Sequence, residues 1–121
     1  VASGVSYSGA VAADFRASGD LGLGGSGGSV RLIRGELPLD LLGYGTGTTR
    51  FKGSAPAPAP TAGGTGSLER KARAVATAVS MGPGGADVLA GNGYDTGENA
   101  FDFVLRAMRD PQNTDSPREK P

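Results

Sequence analysis

Hydrophobic and polar positions alternate along the first half of the chain and fall at helical spacing along the second. In VSYSGAVAADFRA (5–17), Val5, Tyr7, Val11, Ala13 and Phe15 share one parity while Ser6, Ser8, Asp14 and Arg16 share the other. A period of two predicts a half-buried strand, with Gly9 as a bend in it. VRLIRGE (30–36) continues the pattern, with Val30, Leu32 and Ile33 inward. Between these runs lies LGLGGSGGSV (21–30), which reads as the long tip of a hairpin because β-type sequence flanks it on both sides. In LPLDLLGYGTGTTRFKG (37–53), Pro38 lacks an N–H and so marks a strand start or edge. Leu37, Leu39 and Leu41 keep the period, GYGTGTT turns, and TTRFKG returns with Phe51. The first half is expected to be an antiparallel β-meander of about four strands. Barrel-like closure is its alternative form.

The period changes after SAPAPAPTAGGTG (54–66), whose Ala-Pro alternation favours an extended polyproline linker. Pro56, Pro58 and Pro60 are spaced by two, without a basic anchor, which suits a spacer better than a PxxP ligand. SLERKARAVATAVSM (67–81) predicts a helix: Ser67 caps it, Glu69 lies in its first turn, and Leu68, Ala72, Val75 and Val79 form one face. Gly82-Pro83 ends it. ENAFDFVLRAMRD (98–110) predicts a second helix, entered through Asp95 and Glu98 at capping-box spacing. Phe101, Val104, Leu105 and Met108 form its apolar stripe, widened by Phe103, and Pro111 stops it. The expected fold is therefore small α+β, an antiparallel meander with two C-terminal helices. It forms one domain over 1–110, divided as 1–53 (β-rich), 54–66 (linker) and 67–110 (helical). The remainder, 111–121, has no apolar anchor and is expected as a disordered tail or one ordered by a partner.

Composition narrows the chemistry. The 121 residues include no Cys and no His. That removes disulfides, thiolate nucleophiles, zinc–thiolate sites, and every triad built on imidazole. Twelve basic residues balance twelve acidic ones, and neither half of the chain departs from balance by more than one charge. With a pI near 6.4, nucleic-acid binding is not expected. No apolar run reaches the roughly 18–20 residues of a membrane span, so no membrane partner is expected either. Glycine is abundant, at 22 residues, against a usual level of roughly 7%. Each glycine adds chain entropy that folding must remove, which points to a domain stabilised by assembly. The chain opens on Val1, which fits a removed leader, an excision, or a non-standard start codon. The Gly/Ser/Thr-rich, Cys-free composition leans towards an extracellular or particle-surface setting.

Few motifs carry chemistry. Gly22, Gly24 and Gly27 satisfy G-x-G-x-x-G, but a strand rather than a helix follows, so no helix N-terminus is present to hold a pyrophosphate. A glycine loop between strands looks more like the phosphate-covering loop of protein kinases, although Val30 comes one place late for it. GPGGADVLAGNGYDTGENAFDF (82–103) resembles the calcium-binding glycine-aspartate nonapeptides of secreted toxins. Gly82, Gly85, Asp87 and Leu89 match one copy, with Pro83 in place of a glycine. Gly91, Gly93 and Asp95 suggest a second copy, with the aspartate one residue early. The resemblance implies a Ca²⁺ site drawing on Asp87, Asn92, Asp95, Glu98 and Asp102; the plain alternative is a loop whose acids cap helices.

Glu98 and Asp102, at i and i+4 on the second expected helix, are the best pair for carboxylate catalysis, or else members of a solvated ladder with Arg106. Tyr44, Gly24, Gly25 and Phe103 are candidate partner contacts. Taken together, the sequence points to a non-enzymatic structural or interaction protein, a subunit or accessory of a larger assembly such as a virion. Its partners are other proteins or copies of itself, and no cofactor is expected. A small ligand- or calcium-binding module over 82–102 is the alternative, and a small carboxylate enzyme the second.

Overall fold

The computed structural model describes residues 9–19, 21–61 and 63–120. These residues form two separate two-stranded antiparallel sheets. β1 (Gly27–Arg34) pairs with β2 (Leu37–Gly45), and β3 (Ser67–Arg70) pairs with β4 (Phe103–Arg106). Among the described residues the only helix is one turn, α1 (Asn99–Asp102), which runs directly into β4. The α+β architecture expected from the sequence is thus overturned: no four-stranded meander forms, no barrel closes, and neither long C-terminal helix is present among the described residues.

The first sheet follows from its turn. Arg34 pairs with Leu37 across Gly35-Glu36, and Gly35 has φ 61 while no non-glycine residue among those described is left-handed. A positive φ at the first central position alone is the pattern of a type II′ hairpin turn, whose twist matches that of the strands. Thus the hairpin tip lies at 35–36, and the glycine run expected there serves otherwise. Gly27, Gly28 and Ser29 belong to β1, opposite Gly45, Tyr44 and Gly43. Gly43 admits a close neighbour: a Cβ there would collide with the Arg50 carbonyl and with Phe51. The register slips once, between Leu32 and Ile33, leaving Leu39 as the extra residue of a bulge. The expected strand over 5–17 falls partly outside the described residues, and its described part, 9–17, forms no strand. TTRFKG is likewise irregular.

The second sheet replaces both helices. SLER pairs with FVLR in the register Ser67↔Arg106, Leu68↔Leu105, Glu69↔Val104 and Arg70↔Phe103. Opposed residues share a face, which sets the Arg70 guanidinium 4.6 Å from the Phe103 ring centroid. Glu69 and Arg106 lie diagonally on the other face and form an ion pair. A helix over 67–81 would need a partner for its apolar stripe, because most helical stability comes from packing such a face. Nothing covers one here: Val75 and Val79 stand 76% and 84% exposed. Residues beyond Arg70 run as successive turns instead, closed by bonds such as Met81 N–H to the Thr77 carbonyl and Gly85 N–H to the Gly82 carbonyl. The second helix stops after one turn, where the β-favouring run Phe103-Val104-Leu105 pairs with β3.

The segment 54–66 touches the first sheet. Ala57 bridges to Tyr44, its N–H bonding the Gly43 carbonyl and its carbonyl accepting from Gly45 N–H. The C-terminal stretch lies against the body: Thr114 donates to Asp14, and Ala90 bridges to Lys120. No helix of the described residues is long and apolar enough to cross a membrane.

Half of the buried side chains of the described residues are polar. The buried hydrophobic side chains are Tyr44, Ala57, Ala76 and Met81, matched by the buried polar side chains Asp87, Asn99, Asp102 and Arg106. Of these, Asn99 and Asp102 are wholly enclosed. Every buried side-chain nitrogen and oxygen of the described residues has a hydrogen-bond partner, so hydrogen bonds rather than apolar burial join the two sheets.

Candidate functional site

Of the residues singled out by sequence, Asp87 and Asn92 lie apart, while Asp95 and Asp102 lie at the polar junction between the sheets. Asn99 opens α1 and is the centre of this junction. Its Oδ1 accepts from Gly43 N–H (2.8 Å) and Lys52 N–H (2.9 Å), while its Nδ2 donates to the Leu41 carbonyl (3.1 Å). Its own N–H bonds the Lys52 carbonyl at 3.0 Å. One side chain therefore holds β2, the loop at 52 and α1 together. Three residues on, Asp102 is equally enclosed: Oδ1 accepts from Thr96 N–H and Oγ1 (3.0 and 2.7 Å), and Oδ2 accepts from Glu98 N–H (3.2 Å). These bonds end the loop before α1 and fix its entry.

An ion cluster extends outward from this pair. Lys52 Nζ lies 2.9 Å from Asp40 and 2.6 Å from Asp95. Arg70 reaches Asp40 at 2.5 Å, Asp95 at 3.7 Å and Asp102 at 3.8 Å. Burial works against charge on Asp40, but hydrogen bonds from Lys52 and Leu41 N–H outweigh it and hold the carboxyl below its ordinary range. The Lys52 hydrogen bond, then Gly97 N–H, does the same for Asp95. Burial also disfavours the Lys52 ammonium, yet its bonds to Asp95 and Asp40 prevail and raise its pKa. All three groups stay charged at neutral pH. The cluster thus works as a cross-link of paired charges and supplies no free acid or base.

The five residues of the calcium reading are not brought to one point. Asp87 is buried against Arg73 at 2.6 Å, Asp95 is held by Lys52, and Asp102 by Thr96 and backbone. Glu98 turns away to Ser54, accepting from its N–H (2.7 Å) and Oγ (2.9 Å). Asn92 is exposed beside a separate cleft. Among the described residues no group of three or more Asp or Glu side chains is placed to hold a metal ion. The Glu98–Asp102 pair considered for acid/base chemistry is likewise split, each carboxylate taking other donors.

Of the partner-contact candidates, Tyr44 packs inward, 7% exposed, its hydroxyl donating to the Gly24 carbonyl at 2.8 Å. Gly24 and Gly25 are exposed beside it, and Phe103 is half-buried under Arg70. The cleft, about 940 Å³, lies on the Glu69 face of the second sheet, with Leu68, Met81 and Val88 in its walls. Its floor is the Glu69–Arg106 ion pair, steadied by Arg106 donating to the Met81 carbonyl.

The residues that matter most here, Asn99, Arg70, Lys52 and Asp40, carried no local signal. Asn99 and Gly43 are 56 positions apart, and Lys52 and Asp95 are 43 apart. Neither separation leaves a trace in any short motif.

The first hairpin also carries an apolar surface. Val30 (43%), Leu32 (60%), Ile33 (48%), Leu37 (53%) and Leu39 (49%) all stand exposed at the turn end of the β1–β2 hairpin. The other end of the hairpin is anchored by Asn99, Ala57 and Gly24. The hairpin is therefore an arm with a fixed root and an uncovered aliphatic tip. No family model, curated protein or solved structure matches this chain.

Proposed function

We propose that this chain is a non-enzymatic interaction subunit that docks onto a protein partner in a larger assembly through the turn end of the β1–β2 hairpin. The observation that carries the proposal is the inversion of burial: five large aliphatic side chains stand out on one hairpin, while only four hydrophobic side chains are buried in the whole described interior. Exposed aliphatic side chains gathered on one hairpin suit an interaction site. A hairpin pinned at its root presents that surface with little entropy to lose on docking. The titratable groups of the polar junction are mutually paired, which suits a structural role.

The test uses the tagged chain added to an extract of its source cells and followed by size-exclusion chromatography. The wild-type chain is expected to elute in a larger complex. The variant Leu32→Ser/Ile33→Ser/Leu37→Ser is expected to elute free with an unchanged circular-dichroism spectrum. Equal elution of the two in the same large complex would overturn the docking surface, and wild-type chain eluting free would overturn the assembly role.

A further inference from the structure

Among the described residues the outer edge of β1 has no strand paired to it, and the hydrogen-bond pattern of the sheet shows which groups it offers. Ala57 bonds β2 from the side away from β1, through the Gly43 carbonyl and Gly45 N–H. Gly43 and Gly45 therefore direct their main-chain groups outward. In an antiparallel ladder the residue opposite an outward-facing one faces outward on the far edge. Gly43 opposes Ser29, and Arg31 lies two residues on. Beyond the bulge, Ile33 opposes Pro38, which has no N–H to exchange, so Ile33 also faces out. Among the described residues no backbone group from outside the hairpin bonds Ser29, Arg31 or Ile33. Such an edge is a template for one more strand.

The side chains along this edge define what that strand must carry. Val30, Leu32 and Ile33 are exposed aliphatics. Arg31 and Arg34 are exposed, and neither has an ion-pair partner among the described residues. β1 reads GGSVRLIR and holds no acid, so no register of β1 against a second copy of β1 gives either arginine a carboxylate. A lipid surface offers anionic headgroups but no strand to complete a row of outward N–H and C=O groups.

We infer that β1 receives an extended segment of a partner protein as an added antiparallel strand. Opposite Arg34 to Val30, that strand reads acidic, apolar, apolar, acidic, apolar. The inference rests on the hairpin being the docking arm and names what it docks. Main-chain bonds at Ser29, Arg31 and Ile33 supply affinity, and two cross-strand charge pairs fix register and exclude basic or neutral strands.

The probe is a labelled synthetic peptide containing Glu-Val-Val-Glu-Val, titrated against the full chain by fluorescence anisotropy. Its counterpart has Lys in place of both Glu. Binding of the Glu peptide is expected to exceed that of the Lys peptide by at least about tenfold, the sum of two favourable pairs turned repulsive. The variant Arg31→Glu/Arg34→Glu, whose changes are exposed, should reverse the preference and bind the Lys peptide. A Glu peptide N-methylated on the amides facing β1 should lose binding.

Equal binding of the two peptides, no binding, or retained binding after N-methylation overturns the strand-addition inference. Binding to phosphatidylserine vesicles with no peptide binding overturns it in favour of a lipid surface. If the peptide fails while the triple Ser variant still loses its complex, strand addition falls alone. If the triple variant keeps its complex, the docking surface falls as well.

Discussion

Replacing Asn99 with alanine tests whether hydrogen bonds, rather than apolar contact, hold the two halves of the protein together. The side chain makes three hydrogen bonds, to Gly43 N–H, Lys52 N–H and the Leu41 carbonyl, and is wholly enclosed. Alanine leaves these three groups unpaired. A buried orphan costs about 1–3 kcal/mol, because its desolvation is no longer offset. Gly43 is buried and bears the full cost, whereas Lys52 and Leu41 are half-buried and water recovers part of theirs. The expected loss is about 3–5 kcal/mol, a large share of the roughly 5–15 kcal/mol that stabilises a small domain. Urea unfolding followed by circular dichroism reads it directly. With a slope of about 1–2 kcal/mol per molar for a domain of this size, the midpoint should fall by about 2 M or more, or the variant should be unfolded without urea. Asn99→Asp keeps the acceptor for both N–H groups but loses the donor to Leu41 and buries a charge, so its midpoint should also fall, and fall further as pH rises and the new carboxyl ionises. A midpoint for Asn99→Ala within about 0.5 M of wild type would falsify the view that this junction carries the fold.

Three further outcomes follow from the same geometry. Asp40 and Asp95 are held below the ordinary value of 3.8, so they stabilise the fold fully above it and lose that contribution as pH falls through their folded values. Lys52 is raised above 10.5, so its contribution is complete below that value and fades as pH rises through its folded one. Tm should therefore be level between these limits and fall outside both, and Lys52→Met should flatten the alkaline fall and shrink the acid one. Arg106→Met strands Glu69 and is expected to cost about 3–5 kcal/mol in a urea melt, whereas Arg106→Met combined with Glu69→Leu should recover much of it; a double variant no better than the single one contradicts the pairing. Gly35→Val forces a β-branched residue to φ 61 at the hairpin turn and should cost at least about 1–2 kcal/mol, seen as faster amide exchange across β1 and β2.

The sequence conveyed strand character for 30–41 and little of the partnership. Alternation over 30–41 marks residues that suit a pleated, half-buried surface, yet it also predicted burial for Val30 and Leu32, which stand exposed. Period-two alternation reports two unlike faces; it does not report whether the chain itself covers one. Residues 67–81 differ from expectation for another reason. The i, i+4, i+7 spacing of Leu68, Ala72 and Val75 was real, but most of the stripe is small, and no apolar surface waits for it. Four of those residues pair better with 103–106, through Arg70 on Phe103 and Glu69 with Arg106. The ligand reading of 82–102 expected one shared site, and the structure gives these side chains separate partners. Asp87, Asp95 and Asp102 are indeed held in specific contacts, but by Arg73, Lys52 and Thr96. Because Lys52 lies more than 40 positions from its partner Asp95, only the fold could reveal it.

A polar interior and an apolar arm are two aspects of one arrangement. Aliphatic side chains placed on the hairpin tip are withdrawn from the core, so the core must close by satisfying polar groups, each worth little net when made and much when broken. Such a fold is specific but shallow in stability. If the hairpin docks as proposed, covering Leu32, Ile33 and Leu37 transfers them from water at about 25 cal/mol per Å² of apolar surface. A partner that binds only the folded hairpin would, at one hundred times Kd, add about 2.7 kcal/mol to the stability of the whole chain. That gain is comparable to the loss expected from breaking the Asn99 junction. It follows that Asn99→Ala should be rescued in part by saturating partner or peptide, whereas the triple Ser variant of the tip should not be. A tip that confers stability on the Asn99 variant when occupied would tie the two features to one function, and equal melting of that variant with and without saturating ligand would separate them.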